Sequence, residues 1–131
     1  MSFTDCPCHS GGEYDHCCRP YHEAIKSPDT ALQLMRSRYS AYALRLVDYL
    51  IDTTHPNRRM SSLRTSLMAT IHSLKWTQLT IVKTSAGQQS DNRGKVLFEA
   101  TYEESGKAHV LREHSRFRKR AGRWYYYDGK G

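Results

Sequence analysis

Cysteine is absent beyond Cys18, and no apolar run approaches the roughly 20 residues that a membrane-spanning helix needs. The chain is therefore not expected to insert into a membrane. Met1-Ser2-Phe3-Thr4-Asp5-Cys6 contains neither a basic leader segment nor an apolar one, which predicts a cytoplasmic location. G-x-S-x-G, the Walker A loop, H-E-x-x-H and G-x-G-x-x-G are all missing, as are the aromatic pair and the G-x-x-G loop of common RNA-binding modules. There is no internal repeat and no low-complexity tract. Acidic residues are also scarce. Asp and Glu total 13 against 20 Lys and Arg, a formal charge of +7. That excess favours RNA, an anionic lipid or an acidic protein as partner without choosing among them. A length of 131 residues suits one domain with a small appendage.

All the cysteines fall in the string CPCHSGGEYDHCC. Thiols in a reducing compartment are more often metal ligands than disulfides, although two disulfides or idle surface thiols are the competing readings. Zn²⁺ takes a tetrahedron of thiolates. Cys6 and Cys8 would approach such an ion from one side and Cys17 and Cys18 from the other, with Ser10-Gly11-Gly12 allowing the return and Pro7 stiffening the first arm. His9, His16 and His22 are rival ligands, ranked below Cys18 because the thiolate set is complete without them. Arg19 is a candidate for offsetting the excess negative charge. Iron and copper suit thiolates too, with zinc the favoured ion and iron the alternative. A closed four-ligand site is structural, and removing the ion is expected to loosen the first ~20 residues.

CPCHSGGEYDHCC resembles the SEC-C motif, the short metal-binding tail of the bacterial preprotein translocase ATPase and of other proteins. His9 stands where the motif usually has glycine, and Cys18 where the translocase has histidine. PYHEAIKSPDTALQLMRSRYSAYALRLVDYLIDTTHP and LREHSRFRKRAGRWYYYDG resemble the YchJ-like family of small bacterial proteins. That resemblance implies a SEC-C knuckle over residues 1–22 and an α+β domain of the nuclear transport factor-like, or cystatin-like, type over 23–131. It implies no established reaction. By analogy with the translocase tail, it suggests an export chaperone or the ribosome as partner of a small adaptor.

The remaining chain reads as helices followed by strands, hence α+β with an antiparallel sheet. Ser27-Pro28 predicts a helix start. Leu32, Met35, Tyr39, Tyr42 and Leu46 form its apolar stripe. Val47–Asp52 predicts a short second helix. Asn57 is a candidate cap for a third, with the stripe Leu63, Leu67, Ile71 and Leu74. Period-two alternation then predicts strands around Leu79–Ile81, Val96–Tyr102, Leu111–Arg118 and Arg123–Tyr127, with turns at Ser105-Gly106 and Ala121-Gly122 and a loop over residues 85–94.

An even-length final turn places Phe117 with Trp124 and Tyr126 on one face, and Arg116 and Arg118 with Tyr125 and Tyr127 on the other. The aromatic face should meet the helices and carry Glu113, Ser115 and Asp128 inward. Two readings of Glu113 follow. It lines a pocket with Tyr39 and Tyr42, or it anchors Arg36 or Arg38 of the first helix. Arg116, Arg118, Lys119, Arg120 and Arg123 form a basic surface, either a single-stranded RNA or ribosome contact or a solvated sheet face.

Overall fold

A computed structural model describes residues 5–130. Met1–Thr4 and Gly131, the outer ends of the two expected domains, lie outside the described residues. The elements are α1 (Arg19–His22), α2 (Ala31–Leu44), α3 (Val47–Asp52) and α4 (Leu63–Ser73), then β1 (Lys75–Ala86), β2 (Arg93–Glu104), β3 (Lys107–Arg120) and β4 (Arg123–Lys130). Helices precede strands, as the change of period implies. The strands form a four-stranded antiparallel meander in the order β1-β2-β3-β4. Ser105-Gly106 and Ala121-Gly122 each make a two-residue hairpin turn with both φ angles positive, the geometry that suits the twist of the flanking strands.

The first long helix starts later than Ser27-Pro28 predicts. Thr30 is the cap, its hydroxyl accepting from the Gln33 N–H at 3.1 Å. Residues before it are drawn along the sheet, where the Trp124 indole donates to the Asp29 carbonyl at 3.0 Å. Asn57 is not a helix cap either. It sits in a 3-10 turn, Pro56–Arg58, while α4 begins after Ser62. Strand pairing also shortens the expected 85–94 loop, because β1 continues to Ala86 and β2 begins at Arg93.

α2 is more deeply buried than its stripe suggests. Met35 and Tyr39 meet the sheet, and Leu34, Ser37, Ser40 and Ala41 are buried as well. The helix has the sheet on one side and the cysteine knuckle on another, so little of its circumference is free. Leu34, Val96, Phe117 and Trp124 form the centre of the main core, which also takes in Cys6, Cys8 and Cys18. Each such apolar side chain contributes about 1.5–3 kcal/mol on burial. Ala41, Leu50, Leu67 and Ile71 form a smaller cluster among α2, α3 and α4.

After α3 the chain runs along the free edge of β4. The Tyr126 N–H donates to the Thr53 carbonyl and the His55 N–H to the Tyr126 carbonyl, both at 2.8 Å. This strap covers part of an edge that is otherwise open to pairing.

Candidate functional site

The knuckle is a tight return. Asp5 pairs with Glu13, and the Cys6 N–H donates to the Gly12 carbonyl at 2.9 Å. His9, at the usual glycine position of the motif, has φ +62°, so the turn keeps its left-handed geometry despite the substitution. Its ring meets Tyr39 of α2 edge-on, with centroids 5.7 Å apart.

The Cys6, Cys8, Cys17 and Cys18 sulfurs all lie within 4.8 Å of one another. Cys8 and Cys17 are 3.6 Å apart, and Cys17 and Cys18 3.9 Å. All four thiols are free. A zinc–sulfur bond of about 2.3 Å in a tetrahedron sets sulfurs about 3.8 Å apart. The observed spacings bracket that value, so the donor set fits a metal ion. Crowding also couples the thiols. Hydrogen bonds from Cys18 and Cys6 hold the Cys8 thiol far below its ordinary range. Burial pushes Cys17 up to about 11, and Cys18 rises because its S–H is engaged with Cys6 and Cys8. Sulfurs this close share negative charge poorly until a cation lies among them.

The rival histidines are employed elsewhere. His16 is exposed beside Glu13. His22 bonds the Ser37 carbonyl through Nε2 at 2.8 Å and the Tyr14 hydroxyl through Nδ1 at 2.7 Å. A carbonyl only accepts, so Nε2 carries the proton and Tyr14 donates to Nδ1. Burial lowers the pKa of His22 and favours this neutral form. Arg19 does not face the sulfurs. It pairs with Asp15 at 2.9 Å and Glu23 at 2.6 Å.

Arg36 of α2 reaches the knuckle's backbone and donates to the Cys8 carbonyl at 3.0 Å. That corrects its expected place beside Glu113. Ser40, missed in the sequence, is fully buried. It donates to Cys18 at 3.3 Å and lies 3.5 Å from Cys6. The small residues Ser37, Ser40 and Ala41 on one side of α2 were the available signal that something packs closely there.

Arg38 is no partner of Glu113 either. One of its guanidinium nitrogens donates to the Leu50 carbonyl at 2.8 Å and to the Thr53 hydroxyl at 2.7 Å, and the group lies over the Tyr126 ring. It ties α2 to the end of α3. Glu113 accepts from the Ser115 hydroxyl at 2.6 Å and from Tyr126 at 3.4 Å. A cavity of about 350 Å³ opens between the inner sheet face and the helices, with Arg38, Tyr39, Tyr42, Trp76, Glu113 and Tyr126 in its wall. Structure thus joins Arg38, Tyr39, Tyr42 and Glu113 at one cavity and leaves Arg36 out.

Phe117 pairs with Tyr126 and Arg118 with Tyr125, as an even-length turn requires. A bulge follows, and Asp128 pairs with Arg116. Asp128 therefore lies on the outer face, contrary to the inward placement, and accepts from Arg116 Nε at 2.6 Å. Lys119 departs from the basic surface. It alternates inward, over Trp124, and donates to the Gln89 carbonyl. Arg116, Arg118, Arg120 and Arg123 remain outward. Arg58 and Arg59 of the strap join them, and His55 lies between Tyr125 and Tyr127. The pKa of His55 is lowered by burial first and then by Arg120, Arg118 and Arg59.

No helix among the described residues is long and apolar enough to cross a membrane. Residues 30–129 match the family model described as YchJ, middle NTF2-like domain. The chain is similar to the solution structure of a SEC-C motif containing protein from Rhodopseudomonas palustris, at 35% identity and a TM-score of 0.88, over 98% of each chain. It is also similar to the crystal structure of a sec-c motif containing protein from Psychrobacter arcticus, at 26% identity and a TM-score of 0.80, over 94% of this chain and 80% of that one. The family match begins at the cap of α2, and the structural matches extend across the knuckle as well. With a four-cysteine knuckle packed on α2 of an NTF2-like domain, the chain belongs to the YchJ_M-like family.

Proposed function

We propose that this chain is a zinc-structured binding protein, an adaptor that works in the cytoplasm. The observation that carries the reading is the sulfur tetrad: four thiols within 4.8 Å, at spacings that suit a tetrahedral ion. Cys6, Cys8, Cys17 and Cys18 would hold the ion and fill its coordination, leaving no position for a reacting water. Zinc is favoured over iron because a structural role calls for no redox change. The exposed return, His9 to Gly12, would then be a rigid surface for a protein partner, and the analogy with the translocase tail points to an export chaperone or the ribosome.

The test is metal analysis of protein purified under reducing conditions, followed by cobalt substitution. One ion per chain and the thiolate-to-cobalt absorption of a four-sulfur site support the reading. Metal-free protein with oxidised thiols sinks it.

The cavity supports a second reading, a small-ligand site. Glu113 brings a carboxylate into an aromatic wall, and the buried Trp76 indole N–H has no hydrogen-bond partner. Glu113→Gln tests it: altered ligand binding with intact folding supports a pocket, and a folding defect alone points to a structural carboxylate.

A further inference from the structure

The outward side chains of the sheet form a cationic face that neither the sulfur tetrad nor the cavity uses. Lys95 of β2 is level with Arg116 of β3, and Arg93 with Arg118. A groove of about 420 Å³ runs between Lys83, Lys95, Arg116 and Lys130, and no carboxylate lines it. The adjoining part is built of arginine on tyrosine. The Arg118 guanidinium lies 3.7 Å from the Tyr127 ring centre, Arg58 lies 5.4 Å from the same ring, and Arg123 5.4 Å from Tyr125. These groups are held in place. The strap that carries Arg58 is hydrogen-bonded to Tyr126, and its Arg59 donates to the Thr54 and Asp52 carbonyls, both at 2.8 Å.

Two features choose a ligand. Arg116 engages Asp128 and Arg112 engages Glu99, so the remaining cations of the face outnumber its acids and call for a polyanion. A guanidinium backed by a tyrosine ring is a plate on which an unpaired base stacks, and an acidic peptide has little to lay upon it.

We infer that this face binds single-stranded nucleic acid, with phosphates along the Lys83–Lys95–Lys130 groove and with a base stacked on the Arg118 guanidinium. In a duplex the bases are already stacked on one another and closed to that plate. The site lies on the opposite side of the sheet from the helices and is independent of the proposed role of the knuckle.

The experiment is fluorescence anisotropy of the full, metal-loaded chain with a labelled oligouridylate of roughly 12 nucleotides, its deoxy counterpart, a duplex and polyglutamate. Both single strands should bind at about 50 mM salt, with log K falling linearly against log salt. The ribose and deoxyribose arms show which nucleic acid is preferred. Arg118→Glu and Arg58→Glu should each weaken binding by about tenfold or more, with metal content and melting temperature unchanged. Arg118→Lys, which keeps the charge and loses the plate, should weaken the oligonucleotide more than Lys95→Arg does. If Arg118→Glu does not fold, Arg58→Glu carries the comparison from outside the sheet. Absence of binding at low salt, indifference to these variants, or equal binding of duplex or polyglutamate overturns the inference.

Discussion

Ser40 donates a hydrogen bond to Cys18 Sγ at 3.3 Å, across the seam between α2 and the cysteine knuckle. The same hydroxyl lies 3.5 Å from Cys6, so one small side chain serves both arms of the sulfur tetrad. Ser40→Ala should lower stability by about 1 kcal/mol, the net worth of a typical buried hydrogen bond. Metal affinity should fall about tenfold to a hundredfold, because a group that orients a ligand is lost. Urea denaturation and competition against a chelator measure the two effects separately. Unchanged affinity would show that the hydroxyl only fills space.

Replacing Cys17 and Cys18 together with serine should abolish metal binding, read as stoichiometry falling from one ion per chain to none. The consequences should reach beyond the knuckle, since Cys8 and Cys18 are in one core with Leu34 and Tyr39. Hydrogen exchange should show lost protection across residues 5–22 and on the knuckle side of α2. The paired strands β2 and β3 should keep theirs, because their ladder does not depend on the sulfurs. Uniform loss across the sheet would mean that the ion organises the whole fold.

Gly94 sits where the end of the β1–β2 hairpin meets the start of α2. A Cβ there would lie 2.5 Å from the Gly87 Cα and 3.1 Å from the Ala31 Cβ. The Ala31 N–H donates to the Gly87 carbonyl at 2.9 Å, so the loop and the helix cannot separate cheaply. Gly94→Ala should therefore destabilise by about 1–3 kcal/mol, the usual cost of overpacking. Gly106→Ala has open space around its Cβ and a positive φ. It serves as a comparison in which only backbone strain is introduced. Equal losses in chemical denaturation would count against the crowding argument.

Asp128 and Arg116 supply a pH dependence away from the sulfurs. The Arg116 hydrogen bond lowers the pKa of Asp128, partly against burial. A folded pKa below the unfolded one stabilises the protein fully above the ordinary carboxylate range, about pH 4, and that contribution is lost as pH falls through the folded value. The wild type should lose stability on acidification more steeply than Asp128→Asn. Both groups are partly solvated, so the difference should be small and should shrink in high salt. Parallel acid limbs at low salt would show that the pair adds nothing.

The elements that sequence reasoning placed well are those whose cause is local. Val47–Asp52 is helical as expected. Ser105-Gly106 and Ala121-Gly122 turn where two-residue hairpins require it, and the turn parity put Phe117 with Tyr126 and Arg118 with Tyr125. The cysteine spacing likewise carried the tetrad, since an arm of two thiols on each side of a glycine-rich return needs only a short chain to close.

The departures from local expectation share a different cause. Simple alternation carries Asp128 inward, but a bulge that only strand pairing reveals turns it outward. The ion-pair reading of Glu113 with Arg36 or Arg38 fails because the partners of these arginines are carbonyls of Cys8 and Leu50 in other segments. Arg58 and Arg59 lay far in sequence from the final hairpin and joined its basic face through the strap along β4.

Residue order by itself determined the cysteine knuckle, the succession of helices and strands, and the hairpin turns, because each follows from bond geometry and side-chain periodicity within a few residues. Tertiary packing decided which side of α2 receives the sulfurs, which arginines face solvent, and where a cavity remains, because those depend on contacts between segments whose spacing along the chain sets no distance between them.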